Sequence, residues 1–345
     1  HNTKNAEQNM VMDMGGMMGL MNMHLTYLWP DVETEKLGLF FEQDLDNISY
    51  GLRYDQVELD PTRAADDPGS GMMQKTANQV YDEDYGIVAT KRDFDNISGF
   101  LRFEKDLNHG ESYINFSINE RAPDANELFH AKNNSTAMMR HVGNPNLSSE
   151  RHITLEVGYE GMLMGNHITG SVYYNDVDDY VTTHRKDDSA MKARLYKNVD
   201  ATLYGYELTA HRIISGIDTT FNLNYTRGED DTQNRPLPQI MPLAGDITFE
   251  LKSAKTNYGL RINFADTQDR FDTKVLDVGE TAGYTVYDIF AGFEPTPNLR
   301  FTVGMANITD KRYATHLNAT NRLDGTADRT DEPGRSLFGA INYEF

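Results

Sequence analysis

Cysteine is missing altogether from these 345 residues, and tryptophan occurs once. Without a thiol there is no disulfide framework and no thiolate metal site. Nor is there a run of 18 apolar residues: hydrophobic content is 39% and mean hydropathy −0.61, so no segment reads as a membrane-crossing helix. That leaves a membrane β-barrel open, because its strands are only half apolar. Basic residues are scarce, 32 Lys and Arg against 53 Asp and Glu, for a net charge of −21. Phosphate recognition needs a basic face, so a nucleic-acid partner is excluded. An acidic surface draws cations instead. Catalytic signatures are lacking too: there is no HExxH, GxSxG or P-loop, the histidines are scattered, and no enzyme is read. A signal peptide and an initiating methionine are both missing at His1, which reads as a processed product or a fragment.

What the chain has is alternation. In "NISYGLRYDQVEL", residues 47–59, Ile48, Tyr50, Leu52 and Tyr54 fall on one face, and Ser49, Gly51, Arg53 and Asp55 on the other. Period two with aromatic enrichment means half-buried antiparallel strands. Thirteen are predicted, at 37–45, 47–59, 94–106, 111–121, 149–162, 166–184, 194–214, 217–228, 241–254, 256–268, 281–294, 298–310 and 335–345, with no helical period between them.

Their connections alternate in length. "DLDN", "LNHGE", "MGNH", "SGID", "SAKTN" and "EPTPN" are tight turns, whereas 60–93, 122–148, 185–193, 229–240, 269–280 and 311–334 are long polar loops. Sorting short and long connections to opposite ends is how outer-membrane barrels are built, with turns in the periplasm and loops outside. The fold class read is therefore all-β, an antiparallel transmembrane β-barrel in a bacterial outer membrane. A soluble β-protein has the same period and stays the alternative. If the last strand descends to Phe345, residues 1–36 lie outside, as a Met-rich extracellular segment before barrel residues 37–345. Thirteen strands with the first entered from outside make a partial barrel of about 13–14 strands, because bacterial barrels close on even numbers. The expectation is the C-terminal portion of a longer one. Acidic stretches such as "GEDDTQN" and "DVDDY" read as a solvated surface facing lipid and lipopolysaccharide, bridged by divalent cations.

One short run stands out. "NMVMDMGGMMGLMNMH", residues 9–24, holds Met10, Met12, Met14, Met17, Met18, Met21 and Met23, and ends on His24. Gly15, Gly16, Gly19 and Asp13 argue against a core helix, and the apolar stretch is far too short to span a bilayer. Thioether sulfur is soft, stays neutral and forms no disulfides; soft ligands select Cu(I), and imidazole also suits copper. Met10, Met12 and Met14 would share one side of an extended chain, with Met21, Met23 and His24 as a second ligand set. "MMRH" adds Met138, Met139 and His141 in another outside loop. Chance packing of a flexible hydrophobe is the competing reading.

"NERAPDANELF", residues 119–129, and "GNPNLSSERHITLEVGYEG", residues 143–161, resemble the TonB-dependent outer-membrane receptors, as do "LGLFFEQD" with "GLRYD", "VYYNDVDDYV", and "NITDKRYATH" with "GRSLFGAINYEF". The resemblance runs over roughly residues 37–345. Ser149 departs from it, standing where the family often has proline. The resemblance implies a larger 22-stranded barrel, uptake of a metal or metal chelate, and coupling to TonB–ExbB–ExbD through a plug domain that is absent here. The Met-rich segment is most similar to the copper-receptor branch, with copper as the transported ion and no organic cofactor. An iron–siderophore receptor and a non-transporting adhesin or phage receptor remain the rivals. Arg121 and Glu127 read as structural, fixing the exit of a strand into its loop.

Overall fold

A computed structural model of the chain describes residues 2–3, 7–13, 20–67, 75–132, 140–187, 192–272, 279–318, 320–321 and 328–344. Thirteen long strands form its frame: β1 (Val32–Leu45), β2 (Ile48–Pro61), β3 (Arg92–Leu107), β4 (Gly110–Arg121), β5 (Glu150–Leu163), β6 (Asn166–Asp187) and β7 (Lys192–Ile214). Then follow β8 (Ile217–Asp230), β9 (Ala244–Lys252), β10 (Thr256–Ala265), β11 (Tyr284–Thr296), β12 (Leu299–Ala306) and β13 (Ser336–Tyr343). Each pairs antiparallel with the next, which is the up-and-down order the alternation predicts. The first begins at Val32 rather than at 37.

Register explains the two faces. Leu52 lies beside Gly99, Tyr54 opposite Ile97, Leu101 opposite Phe116 and Leu155 opposite Tyr174, so apolar side chains line up across strands. They are not covered: Leu52 is 64% exposed, Ile97 62% and Ile341 68%. A continuous exposed apolar face of this extent needs lipid against it. The opposite face is polar and knitted together. Thr209 donates to Asn222 (2.9 Å), Asn222 to Asp246 (3.0 Å) and Asn263 to Asp288 (2.8 Å).

The tight turns cluster at one end. Met164-Gly165 and Ser215-Gly216 carry positive φ at both central positions, as two-residue hairpins in a right-twisted sheet require. Tyr343 pairs with Leu299 at this end, while Val32 pairs with Pro61 at the other.

At the long-loop end the pattern changes phase. Along β2 the outward residues run Tyr50, Leu52, Tyr54; then Val57 and Leu59 turn inward and are buried. With Val32, Phe94, Leu128, Phe129, Leu147 and Val181 they make a hydrophobic core in the mouth of the sheet. A second cluster (Val80, Tyr81, Val142 and Leu195 among others) adjoins the helix Ala77–Tyr85, α1. The long loops are thus not simply polar. They also hold two helices where none is predicted. α1 starts with a Thr76/Gln79 capping box and stops at Gly86 (φ 71°), and the short α2 (Ala125–Phe129) starts with an Asp124/Glu127 box.

Among the described residues the sheet does not close. Among the described residues β13 is laddered only to β12, and β1 meets on its free edge the dipeptide Asn2–Thr3, opposite Glu33 and Val32.

Candidate metal-capture site

The described parts of the methionine run are two paired strands of a β-hairpin. Glu7–Asp13 and Leu20–Tyr27 pair antiparallel, with Met10 opposite Met23, Met12 opposite Met21 and Asn9 opposite His24. Because alternate residues of a strand share a face, positions 10, 12, 21 and 23 fall on one face of the hairpin. Met10 and Met12 of one predicted set thereby share a face with Met21 and Met23 of the other, whereas His24, paired with Asn9 one register position on, alternates to the opposite face. Met14, Met17 and Met18 lie outside the described residues, as do Met138 and Met139.

The hairpin is rooted in the loop core. Tyr27, at its end, is buried; Arg63 sits 4.7 Å over the Tyr27 ring and donates to its hydroxyl (2.9 Å). One residue on, the Leu28 carbonyl accepts from the Ala131 amide (2.8 Å). Trp29 Nε1 donates to Asn126 Oδ1 (2.5 Å) on α2.

Directly beneath lies the described part of the second cluster. His141 is the middle residue of a short strand, Arg140–Val142, clamped between Ala131–Lys132 and the start of β7: Lys132 and Arg194 both pair with His141. Arg140, beside the methionines, is no ligand. It is 2% exposed and pairs with Glu83 and Asp84 of α1, at 3.0 Å each. A partner that sequence reasoning missed faces His141: the rings of His130 and His141 lie 4.6 Å apart at 35°. Trp29 stands edge-on to His130 (5.3 Å) and Tyr196 stacks on His141 (5.2 Å), so four rings from four segments form a ladder. Burial above all keeps both imidazoles neutral, at about 4 for His130 and about 3 for His141. Nearby Lys132 and Arg194 push the same way, as does His130 on His141. In each ring Nε2 is buried, with no hydrogen-bond partner among the described residues.

Arg121 does fix the strand exit. Its guanidinium grips Glu127 (2.8 and 3.0 Å) and Glu150 (2.7 Å), while Glu127 caps α2 by accepting from the Asp124 amide (2.8 Å). Glu150 also accepts from the Val181 amide (2.6 Å), just past a bulge in β6.

Over residues 7–308 the chain matches the TonB-dependent receptor-like β-barrel family. The chain belongs to that family. It is an outer-membrane β-barrel chain. Among curated relatives of this TonB-dependent barrel, the vitamin B12 transporter BtuB of Vibrio vulnificus (strain CMCP6) is 22% identical over 209 residues, 59% of this chain and 31% of that protein. The probable hemoglobin and hemoglobin-haptoglobin-binding protein 4 of Haemophilus influenzae is 21% identical, covering 82% of this chain and 35% of its own length. Of solved structures, the copper transporter OprC superposes with a TM-score of 0.78 at 23% identity, over 91% of this chain and 50% of that one. The ferric-catecholate import receptor Fiu of E. coli K12 gives 0.61 at 16% identity, over 95% and 46%. The chain therefore spans about a third of those curated relatives and half of the OprC structure.

Proposed function

We propose that this chain is part of an outer-membrane importer that captures copper ions on its methionine hairpin and passes them through the barrel, driven by TonB–ExbB–ExbD acting on a plug domain. The register supports the reading: four methionines, Met10, Met12, Met21 and Met23, hold facing backbone positions of one ladder at the long-loop end. In a chain without cysteine these are the softest ligands available, and softness selects Cu(I). A net charge of −21 concentrates cations at the surface. The fold similarity to the copper transporter OprC supports the same cargo.

The test is replacement of Met10, Met12, Met21 and Met23 by leucine in the full-length receptor, which keeps volume and apolarity. Cu(I) affinity, measured by chelator competition, should fall by at least about tenfold, and receptor-dependent growth on limiting copper should fail. Unchanged affinity sinks the hairpin site. The relatives that handle vitamin B12, haemoglobin and ferric catecholate favour one other reading, a chelate receptor. Receptor-dependent growth on siderophore iron, with copper uptake unaltered, would establish that one instead.

A further inference from the structure

The two imidazoles at the base of the hairpin are costly to leave as they are. Each buries an Nε2 that no described residue satisfies, and an unpaired buried polar atom is destabilising. Two such atoms in touching rings call for an explanation. The rings are also held firmly. The His130 amide donates to the Asn126 carbonyl (3.2 Å), its own carbonyl accepts from Gly143 (2.6 Å), and His141 sits in a strand laddered on both sides. Gly143 makes the closure possible: a Cβ there would stand 2.7 Å from the backbone at Leu128, Phe129 and His130.

We infer that His130 and His141 form a second metal site at the root of the methionine hairpin, binding a monovalent copper ion as an imidazole pair and receiving it from the thioethers above. The identity of the ion rests on the copper reading; the pairing of the rings does not. Two nitrogens each bonded at about 2 Å to one ion lie within about 4 Å of each other. The two ring centroids lie 4.6 Å apart at 35°, so one ion between the nitrogens requires both rings to rotate toward it. Among the described residues no cluster of three His, Asp or Glu is placed to hold a metal, so no carboxylate completes the pair as a third ligand, although the Asp124 charge is felt at His130. Lys132 and Arg194 at the same register oppose a divalent cation twice as strongly as a monovalent one. The site therefore takes Cu(I) rather than a divalent ion. Its position suits a relay: Ala131, next to His130, bonds the residue that follows the hairpin, and Trp29 bridges to the His130 ring.

Cu(I) binding to the full-length receptor in detergent, followed by X-ray absorption at copper, tests this. At one equivalent, the Met10, Met12, Met21 and Met23→Leu receptor should show copper scattered by imidazole, because its histidines are untouched. His130→Phe with His141→Phe preserves ring packing; it should lose that signal and one equivalent of Cu(I) while keeping sulfur-bound copper. Imidazole scattering that is absent from the leucine variant, or unchanged in the phenylalanine variant, overturns the imidazole site. Persistence of sulfur scattering in the leucine variant instead marks failure of the hairpin reading, which separates the two.

Discussion

Trp29 is the sole tryptophan of the chain, and it stands edge-on to His130 at 5.3 Å. That pairing makes one residue an optical report on another. An ordinary histidine is charged below about pH 6.5. Burial first, then Lys132 and Arg194, hold His130 down to about 4. The folded site thus takes up protons at lower pH than the unfolded chain. Its contribution to loop stability is complete above the unfolded value, near 6.5, and is lost as pH falls through the folded one. Trp29 emission, corrected with a Trp29→Phe variant, should stay level through pH 5.5 and be quenched with a midpoint near 4. A midpoint near 6.5 would mean that the ring is solvated. Nothing in the local sequence "ELFH" marks His130, because its partner arrives through a tertiary closure at Gly143.

The elements of the outer end are tied by charge as well as by packing. Arg140 is buried against Asp84, itself 3% exposed, and both belong to segments outside the barrel wall. Among the described residues, removing Arg140 would leave Asp84 only the longer contact to Lys186 (3.5 Å), a loss of charge pairing in a poorly solvated place. Arg140→Ala should therefore speed amide exchange across Ala77–Tyr85 and Arg140–Val142 and leave the strands protected; uniform protection would contradict the anchoring role. How much of this was legible differs by element. Period two located all thirteen strands, because a wall with lipid on one side and polar groups on the other imposes it at every position. The helices, nine and five residues long, are too short to show a 3.6-residue period. Their capping boxes, Thr76 with Gln79 and Asp124 with Glu127, were nonetheless written in the sequence. In the hairpin the alternation of Met10 and Met12, and of Met21 and Met23, is the same strand signal, masked by the glycines between them.

On the scale of the whole molecule, the sheet of the described residues is unclosed: β13 is laddered only to β12 and the outer edge of β1 only to Asn2–Thr3, and hydrocarbon supplies no hydrogen bonds for the rest of those edges. The 345-residue chain refolded alone in detergent should associate edge to edge. It should also lack the resistance to unfolding on electrophoresis before heating that a closed barrel shows; a monomer with that resistance would refute the reading of these edges. The phase change between Tyr54 and Val57 has a further consequence. It draws a waterline around the wall: below it the greasy side chains look out at lipid, above it they look in at one another. If the proposed import is right, a cation moving down from the hairpin would meet that oily collar first, where hydration water could not easily follow it. Ligands that strip an ion of water in steps, sulfur and then nitrogen, are what such a throat demands.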